Sequence, residues 1–283
     1  MSGYSSIKDY CDEINLKGKS HTSTFRKLSN TVTTAGIPCD LSMFGGHPVT
    51  NFYASSPLVA ATLLAREGIQ HGSNVTPDYK FLREVTITSS TSAPLTLIML
   101  DYLLYYPFLD GDSTDQQDFD NSVTLPRYTD GAGVKAFVVA QGGYTGGAQF
   151  FFTYTNQDGV SGRISKLVTS NTAGNTGTLI SGGVTAGAYG WSVPLAQGDY
   201  GIRSVESFTF LSANGGIFAL VLAVDLATIP YLEASVSCQK NIILENGLNM
   251  PRVYDGAYLN YLCVPNGSLS AIPIFGYQKF CWG

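Results

Sequence analysis

Charge is what this chain has least of. Only 13% of its 283 residues are Asp, Glu, Lys or Arg, about half the roughly 25% of an average soluble domain. The 16 Lys and Arg are scattered, with no basic run longer than two, and the net charge is −5. Nucleic-acid binders gather basic side chains onto one face or stripe, so no nucleic-acid partner is expected. Long apolar runs are missing too. No stretch approaches the roughly 18 residues of a membrane helix. The longest, Leu95–Leu100 and Ile217–Val224, have the length of strands, so no membrane partner is expected. The first eight residues, Met1 to Lys8, lack the apolar core of a signal peptide, which implies synthesis and folding in a cytoplasm.

Chemistry-bearing residues are equally sparse. There are three histidines (His21, His47, His71) and five cysteines (Cys11, Cys39, Cys238, Cys263, Cys281), with no Cys-x-x-Cys. A structural zinc site needs closely spaced ligand pairs, so the cysteines read as reduced thiols packed as small apolar groups. The chain has no Walker loop, no Gly-x-Ser-x-Gly elbow and no His-Glu-x-x-His. Gly131-Ala-Gly133-Val-Lys-Ala136 has the spacing of a dinucleotide loop, but that motif must open a helix. Here a strand-like Phe137-Val-Val-Ala follows. No catalytic, cofactor-binding or metal-binding residue is assigned, no cofactor is expected, and the chain reads as non-enzymatic.

In place of charge the chain carries 31 Gly, 17 Tyr and 15 Phe, and 44% of it is hydrophobic. Neutral surfaces rich in Tyr, Ser, Gly and Asn make adaptable contacts at low side-chain entropy cost. A homo-oligomer is the default assembly for such a surface, with a trimer favoured.

The pattern along the chain is mainly β. Residues 1–50 are Ser/Thr-rich and weakly periodic and read as an extended N-terminal arm. A helix is predicted over 57–67, with Ser56 as cap, Pro57 at the first position and Gly68 past the end. Period-two alternation follows over Glu84–Thr88. Leu95–Tyr106, bordered by Pro94 and Pro107, reads as a central strand. Gln149–Thr155 and Val160–Val168 form a hairpin about Asp158-Gly159. Arg203–Leu211 and Ile217–Val224 are strands joined through Asn214-Gly-Gly, the second in mid-sheet. A last hairpin is predicted from Tyr258–Val264 to Leu269–Phe275 about Asn266-Gly267, with Pro273 placing its second strand at an edge. Residues 170–190, almost wholly Gly, Asn, Thr, Ser and Ala, read as a flexible loop or an excursion ordered only by a neighbour. The expected architecture is an antiparallel β-sandwich, jelly-roll-like, with residues 51–283 as a single body.

One cluster stands out. Asp110, Asp112, Asp115, Asp118 and Asp120 crowd a single loop. They are compatible with a solvated acidic loop, contact with a basic neighbour, or calcium held by oxygen ligands. With Glu206 or Glu233 they could also supply a glycosidase pair, which needs two carboxylates at a set separation.

Five segments carry a likeness: Asn51-Phe-Tyr-Ala-Ser-Ser-Pro-Leu, Asp101-Tyr-Leu-Leu-Tyr-Tyr-Pro-Phe, Asn121-Ser-Val-Thr-Leu-Pro-Arg-Tyr, Tyr154-Thr-Asn-Gln-Asp-Gly-Val-Ser-Gly and Asp255-Gly-Ala-Tyr-Leu-Asn-Tyr. Across about residues 40–275 the chain resembles virion structural proteins of tailed bacteriophages. The resemblance implies localisation in the virion and a particle component of the head-decoration or minor-capsid type. Its partners would be the major capsid protein or other virion proteins. A tail, baseplate or fibre component is the alternative. The resemblance brings no active site. The long spine helix and elongated hairpin of the major shell protein are absent from the pattern.

Overall fold

The computed structural model describes residues 3–29, 32–91, 94–183 and 186–283. The elements in chain order are α1 (Ile7–Asn15), β1 (Ser20–Leu28), β2 (Cys39–Asp40), β3 (Gly45–His47), β4 (Lys80–Ser89), β5 (Leu95–Asp110), β6 (Gln117–Asp118), β7 (Lys135–Ala140), β8 (Tyr144–Gly146) and β9 (Gln149–Asn156). They continue as β10 (Arg163–Ile164), β11 (Val168–Thr169), β12 (Thr172–Gly174), β13 (Ile202–Phe210), β14 (Ile217–Tyr231), β15 (Cys238–Asn241), α2 (Ile242–Asn246), β16 (Arg252–Val253), β17 (Tyr258–Pro265) and β18 (Pro273–Trp282). The strands pair antiparallel throughout, and the architecture is a β-sandwich.

A central sheet of order β2-β17-β5-β14-β7 organises the rest. Strand β5 over most of its length, and β14 over Phe218–Ala223, are buried on both faces, which is why these stretches read as continuous apolar runs rather than alternating ones. Along β5 the side chains divide by parity. Leu95, Leu97 and Met99 join a core shared with the six-stranded sheet β15-β4-β18-β1-β3, in which β16 also pairs with β4, and where Phe25, Val85, Ile87 and Phe280 answer them. Leu103, Leu104 and Tyr106 join a second core under the sheet β10-β9-β13-β6, with Phe150, Phe152, Phe208 and Phe210. Ile98, Leu100 and Tyr102 point the other way, where Met43, Tyr53, Leu63 and Leu179 cover them. One face of the central sheet thus carries two sheets in succession, and loops close the other.

Bulges make this possible. Register slips between Leu222 and Ala223 against Leu104 and Tyr102 leave Leu103 as an extra residue. Pro107 does not end the strand as expected. β5 runs through it, with Phe108 at φ 61 and a second register slip opposite Phe218 and Leu220. The side chain of Gln141 accepts from the Phe108 amide at 2.9 Å, so the bulge loses no backbone partner.

Three sequence expectations are overturned here. The first is the extended arm over 1–50. Within it lie α1, capped where Ser6 Oγ accepts from the Asp9 amide at 3.1 Å, and β1, which pairs with β18 on one side and β3 on the other. Tyr4, Tyr10 and Phe25 are buried core residues. The outward face of β1 is Ser20, Thr22, Thr24 and Arg26, and its inward face also carries polar His21, Ser23 and Lys27, which hid the strand's period. The second is the helix over 57–67. Leu58 has φ 58, Val59 bridges Asp120, Ala61 bridges Tyr105, and only Ala65–Glu67 makes one 3₁₀ turn. Neighbouring segments take up the backbone groups that a helix would have used internally: Leu58 N–H donates to Pro107 at 2.9 Å and Ala61 N–H to Tyr105 at 3.0 Å. Tertiary pairing here overrides strong local propensity. Gly68 is not a left-handed cap. Its φ is −92, and a Cβ there would sit 2.9 Å from the Leu259 nitrogen, so it serves close approach.

The third is the C-terminal hairpin. β17 lies in the central sheet and β18 in the six-stranded one, so residues 266–272 carry the chain between layers, with Ala271 at φ 52. Pro273 opens a strand flanked by both β4 and β1 rather than an edge strand. At a strand's first residue its missing N–H is tolerated. The other expectations over 149–168, 203–211 and 217–224 match strands β9 to β11, β13 and β14. Within 170–190, residues 184–185 lie outside the described residues.

In β18, Gly276 faces the Thr86 carbonyl so closely that a Cβ would lie 1.9 Å from its oxygen. Gly276→Ala should therefore force β4 and β18 apart and destabilise the fold by about 1–3 kcal/mol. Chemical denaturation checks this, and an unchanged midpoint would contradict the β4–β18 pairing.

Candidate interaction cleft

The seam between the two cores is polar. Asp101 follows Met99 on the core-facing side of β5, between Leu259 and Val224 of the flanking strands, and is 1% exposed. Burial pushes its pKa up, and Arg127 opposes this. The guanidinium grips both carboxylate oxygens, Nε to Oδ2 at 2.9 Å and Nη2 to Oδ1 at 2.6 Å. It also donates to the carbonyls of Tyr102 at 3.0 Å and Gly256 at 2.7 Å. The bidentate geometry satisfies a charge that the apolar surroundings would otherwise reject.

Arg127 forms part of the wall of a cleft of about 490 Å³, lined by residues 62–65, 75, 76, 78, 80, 126–127 and 252–256. Volumes of this order accommodate small ligands or a single protruding side chain. Lys80, at the start of β4, has a fully buried ammonium. It donates to Asp255 Oδ1 at 3.0 Å, to the Ser73 carbonyl at 2.9 Å and to His71 Nδ1 at 3.1 Å. An ammonium offers donors only, so His71 Nδ1 accepts, and its Nε2 carries the proton donated to the Ala257 carbonyl at 3.0 Å. Burial, with Lys80 beside it, pulls the His71 pKa from 6.5 down to about 4. Burial pushes the Asp255 carboxylate up, but bonds from Lys80, Thr76 and the Val75 amide outweigh that and hold it below its ordinary value.

Arg252 differs from these. It is exposed at the cleft mouth, with its guanidinium carbon 4.1 Å from the Tyr79 ring centre and 4.4 Å from that of Tyr254. Tyr254 in turn packs edge-on against Tyr128 at 5.0 Å. Two aromatic faces restrict the side chain, and no carboxylate or carbonyl among the described residues accepts from it. Asp78, the remaining acid of the wall, pairs with Lys19 at 2.7 Å. Lys80 with Asp255 and Arg127 with Asp101 are likewise matched, leaving Arg252 as the unmatched charge.

A separate buried network ties the 39–53 segment to the central sheet. Asp40 accepts from the Ser42 amide at 2.9 Å, Ser42 Oγ at 2.8 Å, Tyr102 Oη at 2.8 Å and Tyr53 Oη. Nearby Lys27 donates to the carbonyls of Phe44 at 3.1 Å and Pro48 at 2.6 Å, and burial lowers its pKa to about 8.

The acidic loop stands elsewhere. Gln117 closes it, accepting from the Asp110 amide at 2.8 Å and donating to the Asp110 carbonyl at 2.9 Å. Asp110 accepts from the Asp112 amide, Asp118 from Gln116 and Asp120 from the Ser122 amide. All five aspartates are exposed. Among the described residues no three His, Cys, Asp or Glu groups come together as a metal cage, so the crowding in sequence does not become convergence in space. Glu206 lies in β13 and accepts from Thr155 and Ser204. Neither it nor the acidic loop lines the cleft. Gly131–Ala136 leads into strand β7, not a helix. The cleft residues went unassigned in the sequence because Lys80 and Arg252 are far apart in the chain. The only local signal was a basic residue within two positions of a tyrosine, in Tyr79-Lys80 and Arg252-Val-Tyr254.

No family model and no curated protein matches this chain. Among solved structures, it is similar to a mutant VP2 protein of infectious bursal disease virus in derived T=1 particles, at 10% identity over 96% of this chain and 82% of that chain, with a TM-score of 0.19. It is also similar to the structure of the infectious bursal disease virus Gt strain, at 11% identity over 93% and 79%, with a TM-score of 0.16. At such scores neither likeness bears on this chain's fold or function.

Two outcomes follow from the geometry. Arg127→Ala strands a buried carboxylate and should destabilise the fold by about 3–5 kcal/mol, whereas the double change Asp101→Leu with Arg127→Leu should lose far less. Denaturant melts of the two variants decide this. His71, with its folded pKa below its unfolded one, stays neutral when the unfolded chain takes up a proton. Its contribution is therefore fully present above pH 6.5 and falls away as the pH drops toward 4. The fall should reach about 3 kcal/mol, and His71→Gln should flatten the stability profile across that window. Parallel profiles for the two proteins would contradict the assignment.

Proposed function

We propose that this chain is a non-enzymatic structural component of a tailed-phage virion, a decoration protein that binds the assembled head lattice as a homo-oligomer, with a trimer favoured. The observation that carries this is the outer face of the six-stranded sheet. Thr22, Thr24 and Arg26 of β1 and Phe275 of β18 are exposed side by side, in the pairs Thr24 with Tyr277 and Arg26 with Phe275. Thr88 of β4 joins Ser237 through their hydroxyls at 2.7 Å. The face runs about 30 Å along β1, on the scale needed for the roughly 800 Å² that each partner gives to a stable contact.

Its chemistry suits the role. Short hydroxyl side chains lose little entropy on contact, and the aromatic residues supply rigid apolar area. Large apolar side chains stand out in the segments on either side of β15, with Leu232 after β14 at 73% and Leu244 in α2 at 82% exposed. Apart from Arg252, the charged groups of the cleft are bound within the chain rather than aimed at a reacting atom: Lys80 has all three donors engaged. The five segments similar to tailed-phage virion proteins support the same reading.

Particles purified on a density gradient should contain the chain at a fixed ratio to the shell protein, and microscopy of intact particles should place it on the head. Its absence from particles, or its location at the tail tip, would contradict the decoration reading. Release of reducing sugar from host polysaccharide, abolished by Asp118→Ala, would contradict the non-enzymatic one.

A further inference from the structure

We propose that the cleft holding Arg252 is a docking site for the acidic loop of a second copy of this chain, so that subunits join head to tail. The inference rests on the assembly reading above and specifies one of its contacts.

The site supplies one unmatched positive charge in a prepared position. The three basic side chains of the wall, Lys80, Arg127 and Arg252, face two acidic ones, Asp78 and Asp255. Lys80 is spent on Asp255 and Arg127 on Asp101, while Lys19 covers Asp78. Arg252 alone among them has no acid, yet its guanidinium already packs against the rings of Tyr79 and Tyr254. A guanidinium fixed in this way presents a planar fork to a carboxylate and gives up little rotamer freedom on binding. Arginine set among aromatic rings is a common anchor of protein contacts.

The loop supplies the complement. Among the described residues none of Asp110, Asp112, Asp115, Asp118 and Asp120 forms an ion pair. Asp112 and Asp115, at the tip, also accept no hydrogen bond there, although Gln117 clamps the base of the loop. Repulsion within the loop would be relieved by a cation brought from outside.

The tip of the loop and the cleft do not meet within one chain. The cleft abuts Asp101, opposite Val224, through Arg127, whereas the tip lies beyond Asp110, opposite Ile217, seven residues along β14 and roughly 23 Å away. The contact must therefore form between copies and is heterologous. Such contacts close into rings when the rotation allows, which fits the trimer favoured above. Asp78 and Asp255 at the wall admit a carboxylate only where Arg252 reaches it, and so set the register of entry.

Each copy carries net charge −5, so long-range repulsion and local attraction respond to salt in opposite senses. Charge reversal is the decisive probe. Sedimentation velocity of the full chain should show concentration-dependent self-association, weakened at least tenfold by Arg252→Glu alone and by Asp112→Lys with Asp115→Lys. Mixing these two proteins should restore association, because a reversed cleft meets a reversed loop while the native cleft of one meets the native loop of the other. All the altered positions are exposed, and unchanged melting temperatures would show that the folds are intact. Association that ignores either reversal, or a mixture that stays dissociated, overturns the docking. If the chain is nevertheless present in purified particles, the virion reading survives that failure. A wild-type chain that remains monomeric at all concentrations overturns the docking as well.

Discussion

The buried pairing of Asp101 with Arg127 is the constraint on which the arrangement of this protein turns. A carboxylate in the middle of the most apolar strand would be rejected by either core. It persists because it lies where the two cores part, and because Arg127 reaches it from a connecting segment with two hydrogen bonds and carries two more to the backbone. The pair thereby fixes the 121–128 connection to the sheet, closes the base of the cleft and separates the six-stranded sheet from the smaller one.

Around that seam the polar groups are graded by burial. Deepest lie Asp40 with its hydroxyl donors and Lys27 with its two carbonyls, which bind the 39–53 segment over the far face of the central sheet. Lys80, buried as deeply, organises His71, Ser73 and the partly exposed Asp255 into one network. At the mouth Arg252 is held by aromatic faces alone. Groups fully engaged with one another stabilise a fold, whereas an oriented but unengaged group is available to a partner. That difference, rather than the count of charges, makes the cleft mouth and the acidic loop the parts of this charge-poor surface with electrostatic specificity.

Much of the β architecture was legible in residue pattern, and the failures share a cause. β14 was placed correctly in mid-sheet because its continuous apolar run can only be a strand buried on both faces. The β9 to β11 return was readable because Asn156-Gln-Asp-Gly closes it locally. β1 was missed because only Phe25 and Lys27 of its nine residues turn fully inward. The 57–67 segment was misread because each local signal for a helix was present, and only pairing with Tyr105 and Asp120, dozens of residues away, decided against it.

What the sequence by itself determined is the class of the protein: a charge-poor, aromatic, antiparallel β chain with no convergent reactive motif, since composition and short-range alternation depend only on neighbouring residues. Which layer each strand joins was decided by tertiary structure alone, because Tyr258–Pro265 and Pro273–Trp282 have hairpin-like spacing but enter different sheets. The cleft belongs to the same category. Lys80, Arg127 and Arg252 come together only after the sheets have stacked, and no period or spacing in a linear chain encodes a meeting between such distant positions.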